Sequence, residues 1–306
     1  MTSLPVSSVA SSSSITVFAP AKINLTLRIL DRCPDGYHSL WSIMQTVDLQ
    51  DELCIRLSPD SRDIRLCCDS QQLVADHTNL VHKAAAVVLD RAGKTVGLEI
   101  ELKKRIPMGA GLGGGSSDAA ATIIGLNRLL GLGYSDKVLS EIGQFLGSDV
   151  PFFFYAPSAV VSGRGEIVKP IAVDGQRWVV LINPGFGIET RWAYHELAAT
   201  RQGVRELSEQ QRRLDRRTEM DWTQLEAAAE NDFEGPVFAR HNTLGDIKRT
   251  LLACGADIAL LSGSGATVFG IFKDEQTARR AQGQFDGHKE LKTFTVSTCS
   301  YPLTVQ

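Results

Sequence analysis

Residues 107–121 read Pro-Met-Gly-Ala-Gly-Leu-Gly-Gly-Gly-Ser-Ser-Asp-Ala-Ala-Ala, with five glycines inside positions 109–115. Glycine permits positive φ and lets a ligand come close to the backbone. Ser116, Ser117 and Asp118 are helix-capping residue types, and Ala119–Ala121 are strong helix formers. The stretch predicts a glycine loop that feeds the N-terminus of a helix. Unpaired N–H groups and the positive end of the helix dipole would converge there on one spot, a seat for phosphate.

Two better-known glycine motifs do not describe it. The P-loop pattern G-x-x-x-x-G-K-[ST] is absent: Gly93-Lys94-Thr95 matches its tail, but Val88 stands where the first glycine belongs. G-x-G-x-x-G does occur, at Gly109, Gly111 and Gly114, but the region about 20 positions on, Leu130-Gly-Leu-Gly-Tyr134, is a turn without the acid that grips a ribose. Phosphate binding survives; nicotinamide and flavin do not.

Two charged residues could complete a phosphoryl-transfer site. Lys22 sits in the apolar run Ala19-Pro-Ala-Lys-Ile-Asn24, either as a snorkelling edge residue or as a charge aimed at a site. Asp149 precedes Val150-Pro-Phe-Phe-Phe154, either as a turn or cap residue or as a base. Phosphoryl transfer needs a phosphate cradle, a cation to offset charge and a carboxylate to take the acceptor's proton. The loop, Lys22 and Asp149 would supply all three. Tyr37-His38, after the turn Pro34-Asp35-Gly36, suits a flat polar ring, by stacking and a ring-nitrogen hydrogen bond, or else forms a half-buried strand pair.

The elements that must position these residues follow from periodicity. Ser14–Ile29 predicts strand, turn at Ala19-Pro20-Ala21, strand; Ser42–Asp48, Asp51–Leu57, Ile64–Cys68 and Gly97–Leu102 predict further strands. Helices are predicted over Asn79–Ala92, Asp118–Leu130 and Ser135–Leu146. Val160–Val168, Trp178–Pro184, Ala256–Leu261 and Thr267–Phe272 predict strands, the last two flanking Ser262-Gly-Ser-Gly-Ala266. Residues 186–230 and Asp246–Cys254 predict helix, and the arginine-rich stretch Arg201–Arg217 reads as a solvated face. This mixed order predicts an α+β fold with antiparallel sheet.

Composition is that of a globular protein, 43% hydrophobic and 22% charged. A net charge of −3 offers no basic field to nucleic acid, and no apolar run reaches the ~18–20 residues that span a membrane. Residues 1–14, Ser-rich and without Lys or Arg, are expected to be a disordered leader of a cytoplasmic protein. The six cysteines, Cys33, Cys54, Cys67, Cys68, Cys254 and Cys299, lack C-x-x-C spacing and are expected to be reduced and mostly buried. No histidine spacing suggests a structural metal. No self-complementary apolar stripe stands out, so monomer and homodimer both stay open.

Three separated motifs, the Lys22 strand, the loop Gly109–Ala121 and Ser262-Gly-Ser-Gly-Ala266, resemble the GHMP kinase superfamily. Within it, Ala19-Pro-Ala-Lys-Ile-Asn-Leu25, Pro34-Asp-Gly-Tyr-His-Ser-Leu40, Pro107–Ala121 and Gly147-Ser-Asp-Val-Pro-Phe-Phe153 resemble the branch whose acceptor is the cytidine-diphosphate-linked methylerythritol of non-mevalonate isoprenoid synthesis. The resemblance runs from about residue 15 to 300 and is thin over 195–235. It implies a two-domain fold, with an ATP-binding domain at 15–165, a substrate-binding domain at 166–306 and the active site in the cleft between them. It implies ATP-dependent phosphorylation of the acceptor's 2-hydroxyl, with Asp149 as base and Lys22 as its catalytic partner. By the same resemblance Pro107, Met108, Gly109, Ala110, Gly111, Leu112, Gly113, Gly114, Gly115, Ser116 and Ser117 hold ATP, and Ser116 or Ser117 contacts Mg²⁺. Tyr37 would stack on cytosine, His38 bond its edge, and Tyr194 lie across it. Asn24, Gly263 and Ser264 would serve the acceptor side. The chain departs from many members in having Ala110 for glycine, and from some in having Asp118 for Asn. The competing readings are a homoserine- or mevalonate-type kinase, and a nucleotide-binding regulator without catalysis.

Overall fold

The computed structural model describes residues 14–32, 38–70, 73–200 and 205–306. Residues 1–13 of the expected leader, Cys33, the Pro34-Asp35-Gly36 turn and Tyr37 lie outside the described residues.

β1 (Ser14–Arg32) and β2 (His38–Ser58) form one long antiparallel pair. The sequence predicts each as two strands. Instead, the expected breaks at Ala19-Pro20-Ala21 and Leu49-Gln50 meet as one irregularity: Pro20 pairs with Gln50 while Ala21 pairs with Val47. A bulge tolerates proline inside a strand and reverses which residues face each side. Ile15, Val17 and Ala19 therefore join the core beneath the helices, whereas Ala21, Ile23 and Leu25 join the core on the other side. The even-numbered Lys22 and Asn24 are thereby turned toward the helical side.

The chain continues through β3 (Ile64–Cys68), α1 (Leu80–Arg91), β4 (Gly97–Lys103), α2 (Gly114–Leu129), α3 (Asp136–Gln144), α4 (Phe152–Tyr155), β5 (Ser158–Gly163) and β6 (Ile167–Pro170). Asn79 caps α1, its Oδ1 accepting from the Val81 amide at 2.9 Å. The single strand predicted over Val160–Val168 is instead a hairpin of β5 and β6, turned at Gly163 with φ 71°. Next come β7 (Ala172–Val173), β8 (Trp178–Asn183), α5 (Thr190–Thr200), α6 (Glu209–Asp215), β9 (Glu219–Met220), α7 (Trp222–Ala227), β10 (Glu230–Asn231), α8 (Glu234–Arg240) and α9 (Asn242–Ala253). The chain ends with β11 (Ile258–Leu261), β12 (Val268–Phe272), α10 (Glu275–Gly283), β13 (Lys292–Ser297) and β14 (Thr304–Val305).

Among the described residues the larger sheet has eight strands in the order β10-β1-β2-β4-β3, with β14 on β1 and the β5–β6 hairpin on β2. It is mixed, since β1/β10 and β3/β4 run parallel. The second sheet, β11-β12-β8-β13, is antiparallel throughout. The architecture is α+β. One core packs α1 and α2 on the large sheet through Val81, Ala84, Ala120 and Ile123. A second lies between the sheets around Ile23, Trp41, Leu181 and Ile271. Each large apolar side chain fully buried there contributes roughly 1.5–3 kcal/mol. A third gathers α8 and α9 against β12 through Val237, Leu244 and Phe272.

Among the described residues no helix is long and apolar enough to cross a membrane. Cys54, Cys67, Cys68, Cys254 and Cys299 are free thiols. The expectation that cysteines are mostly buried is overturned: only Cys299 is buried among these, and Cys67 is exposed.

Candidate active site

The helix after the glycine loop starts earlier than the sequence predicts. The capping types Ser116–Asp118 pointed to a start at Asp118, but α2 begins at Gly114, and its N-cap is Gly113, with φ 69° and no side-chain cap. A left-handed glycine turns the chain into the helix without a side chain covering the first-turn amides. Those amides border a cleft of about 750 Å³, lined by every residue from Pro107 to Ser116. Ser117 is not among the lining residues; it is fully buried, and its hydroxyl has no hydrogen-bond partner.

Close approach demands glycine at two loop positions. At Gly111 a Cβ would fall 1.9 Å from the Ser262 carbonyl, because the segment 262–266 is docked on the loop. Ser262 Oγ donates to the Gly111 carbonyl at 2.9 Å. At Gly113 a Cβ would lie 2.9 Å from Cγ of Lys22. The two glycine segments thus close around one lysine, and a Cβ on Gly263 would be 3.4 Å from its Nζ.

Lys22 and Asp149, distant in sequence, meet there. Lys22 Nζ stands 3.4 Å from Asp149 Oδ2; the lysine side chain is 4% exposed and the aspartate 31%, open to the cleft. The backbone of Lys22 is tied to the loop by its N–H, donated to the Leu112 carbonyl at 2.9 Å. Its ammonium also donates to Asn24 Oδ1 at 2.6 Å, and Asn24 Nδ2 donates to Ser42 Oγ at 2.9 Å. A carboxylate beside a buried cation, with bare amides nearby, is equipped to accept a proton from a hydroxyl next to a bound polyanion.

Asn24, Gly263 and Ser264 line the same cleft. Tyr194 lines both it and a neighbouring groove of about 1020 Å³, which His38 also borders. The His38 and Tyr194 rings stack with centroids 4.9 Å apart. Burial, helped by the negative charge of Asp149, pushes the Tyr194 phenol up to about 12, so it stays protonated at neutral pH.

A second buried lysine stands beside Gly114, the residue after Gly113: a Cβ on Gly114 would lie 3.3 Å from Nζ of Lys104. Lys104 Nζ is ion-paired to Asp51 Oδ2 and lies 2.7 Å from Asp118 Oδ2. Asp51 Oδ1 also takes the amides of Arg105 and Ile106, at 2.5 and 2.9 Å. Burial pushes Asp118 up to about 7; Lys104 opposes that shift and the Asp51 carboxylate adds to it.

The sequence reading missed three contributors. Thr190 lines both cavities and its hydroxyl is 3.0 Å from that of Ser264, bridging α5 and the second glycine segment. Lys104 lines the cleft, and Ser42 supports Asn24. Spacing offered no signal for Thr190. For Lys104 the alternation of Gly97–Leu102 ending in three basic residues was the only hint.

The family model described as GHMP kinases N terminal domain matches residues 79–156, and that described as GHMP kinases C terminal matches residues 214–289. Fold and cleft are those of a GHMP kinase. The 4-diphosphocytidyl-2-C-methyl-D-erythritol kinase of Geobacter sp. (strain M21) is 41% identical over 272 residues, covering 89% of this chain and 94% of that protein. The enzyme of the same name from Thermodesulfovibrio yellowstonii is 38% identical, covering 90% and 95%. A crystal structure of 4-(cytidine 5'-diphospho)-2C-methyl-D-erythritol kinase superposes with a TM-score of 0.75 at 30% identity, over 94% of this chain and all of the other. A homoserine kinase from Cytophaga hutchinsonii shares the fold, with a TM-score of 0.73 at 21% identity, over 99% of this chain and all of that one. The chain belongs to the 4-diphosphocytidyl-2-C-methyl-D-erythritol kinase family within the GHMP kinases.

Proposed function

We propose that this chain transfers the γ-phosphoryl group of ATP to the 2-hydroxyl of 4-diphosphocytidyl-2-C-methyl-D-erythritol, giving the 2-phosphate and ADP in non-mevalonate isoprenoid synthesis. The observation that carries the reading is the Lys22–Asp149 pair, 3.4 Å apart at the floor of a glycine-walled cleft. Asp149 accepts the hydroxyl proton as the new oxygen–phosphorus bond forms and the bond to the β-phosphate oxygen breaks. Lys22, beside Asp149, offsets the charge that develops on the transferring oxygens. Loop amides from Gly109 to Ser116 hold the ATP phosphates, with residues 15–165 forming the nucleotide side and 166–306 much of the acceptor side.

Among the described residues no group of three His, Cys, Asp or Glu side chains could cage a cation. At the loop the cleft offers Mg²⁺ the Ser116 hydroxyl, and Mg²⁺ takes most of its remaining ligands from phosphate oxygens and water. Ser116, on the cleft, would supply the protein hydroxyl; buried Ser117 would not. Held there, Mg²⁺ would supply positive charge against the ATP phosphates, with the Ser116 hydroxyl as its protein donor.

Acceptor choice rests on the groove beside the cleft. His38 bonds the cytosine edge and Tyr194 packs against the ring from α5. Asn24 and the Thr190–Ser264 hydroxyl pair face the polyol. Incubating the protein with ATP and a panel of acceptors, and counting ADP, tests this. ATP consumption with the cytidylylated polyol alone is expected. Consumption only with homoserine or mevalonate would overturn the acceptor assignment, and tight ATP binding with no turnover on any acceptor would favour the regulator.

A further inference from the structure

Lys22 is not held by Asp149 alone. A directional chain runs away from it into the sheet: Lys22 Nζ donates to Asn24 Oδ1 at 2.6 Å, Asn24 Nδ2 donates to Ser42 Oγ at 2.9 Å, and Ser42 Oγ donates to the Thr26 carbonyl at 2.6 Å. Asn24 and Thr26 lie on β1 and Ser42 on the facing strand β2, where it pairs with Leu27. Ser42 is fully buried and does not line the cleft.

The polarity of this chain is set at its inner end. The Thr26 carbonyl can only accept, so the Ser42 proton is committed to it and the serine offers Asn24 a lone pair. Asn24 must then present its NH₂ to Ser42 and its carbonyl oxygen to Lys22. The flipped amide would aim two N–H dipoles at the ammonium and leave a carbonyl oxygen facing an oxygen with no proton to share. We infer that Ser42 is a positioning residue for the phosphoryl-transfer reaction: through Asn24 it fixes where the Lys22 ammonium stands relative to Asp149. It touches neither nucleotide nor acceptor. The ammonium would otherwise be free to move along the 3.4 Å gap to Asp149, and displacements of that size cost rate.

The inference rests on the kinase reading above. Its test separates side-chain shape from hydrogen bonding. Ser42→Thr keeps the hydroxyl and adds a methyl group; Ser42→Val has nearly the same shape and no hydroxyl. The threonine variant is expected to turn over near the wild-type rate. The valine variant should lose kcat on the order of tenfold, the effect of leaving a buried donor unpaired beside a charge. KM for ATP and for the acceptor should change less than about twofold, and nucleotide Kd should not move. Ser42→Ala, which makes no steric demand, carries the same expectation should the larger side chains prevent folding. Valine or alanine enzymes as fast as wild type would overturn the relay. So would a parallel loss of kcat, nucleotide affinity and Tm in the valine and threonine variants, since that is what crowding alone produces. Wild-type protein that consumes no ATP with any acceptor fails the kinase reading instead.

Discussion

Two buried lysines flank the same glycine loop, and they are built for opposite ends. Lys104 is enclosed: its side chain is 6% exposed, and its partners Asp51 and Asp118 are 0% and 3% exposed. Lys22 is equally buried, but its carboxylate partner is open to the cleft and its second partner is a neutral amide. In the Lys104 cluster the ammonium is shared by Asp51 and Asp118, and Asp51 also takes two backbone amides, while Asp118 Oδ1 is left without a partner. An ion pair with one open oxygen has capacity left for a substrate proton. The difference lies in which partner reaches solvent, since both sites use lysine and aspartate.

That contrast breaks first at the open pair. Asp149→Ala and Lys22→Ala should each lower kcat by about 10³-fold, the range for removing a general base or its charge partner. Tm should also fall, because Lys22 is only 4% exposed and keeps just its Asn24 bond when Asp149 is removed, but the loss of rate is the larger signature. An Asp149→Ala enzyme near full activity would remove the assigned base. The closed cluster should answer in the reverse sense. Lys104→Met strands two buried carboxylates, which costs about 3–5 kcal/mol. Chemical denaturation reads that loss directly; a Lys104→Met protein as stable as wild type would show that the cluster is not a scaffold.

Much of this was legible in the sequence, and the reasons for the rest are specific. The glycine loop, Lys22 and Asp149 announced themselves because phosphate cradles and charges in apolar runs are unusual local patterns. α1, β3, β4 and β8 follow simple periodicity and fall where it places them. The bulge at Pro20 is invisible locally: proline and two alanines read as a turn, and only pairing with Gln50 and Val47 carries β1 through. The start of α2 is hidden because Ser116–Asp118 are good cap types, whereas the close approach of Lys22 and Phe153 and a positive φ select glycine at the cap, Gly113. β10 and β14 are two-residue strands with no periodicity to detect, and tertiary pairing with β1 alone defines them. Ser42 and Thr190 act through long-range partners, so no spacing rule reaches them.

The closed cluster also carries a pH signature. Asp118 is held near 7 in the folded state against an ordinary 3.8. The folded state therefore binds that proton more tightly than the unfolded one. The associated stability is complete below about 3.8 and is lost as pH rises through about 7. The substitution Asp118→Asn would mimic the protonated acid at every pH. Between pH 5 and pH 8 the Asp118→Asn protein should gain roughly 2 kcal/mol on wild type, about 5 °C in Tm. A gap that does not widen over that interval would mean that Lys104 keeps Asp118 ionised throughout.

The smallest effect belongs to a pair with the same charges and no burial. Arg213 Nη2 stands 3.5 Å from Glu209 Oε2 along α6, with the two side chains 80% and 92% exposed. Water screens both groups and each must surrender side-chain freedom to meet the other, so such i,i+4 pairs contribute little. Arg213→Ala should leave Tm within about one degree of wild type and turnover unchanged. A shift of several degrees would show that α6 is supported by more than its capping box at Ser208 and Gln211 and its buried Leu214. With Lys104 at one limit and Arg213 at the other, the lysine of the open pair lies with the buried group and its aspartate lies between. On the proposed reading, that intermediate exposure lets Asp149 stay near a fixed cation and still reach a substrate hydroxyl.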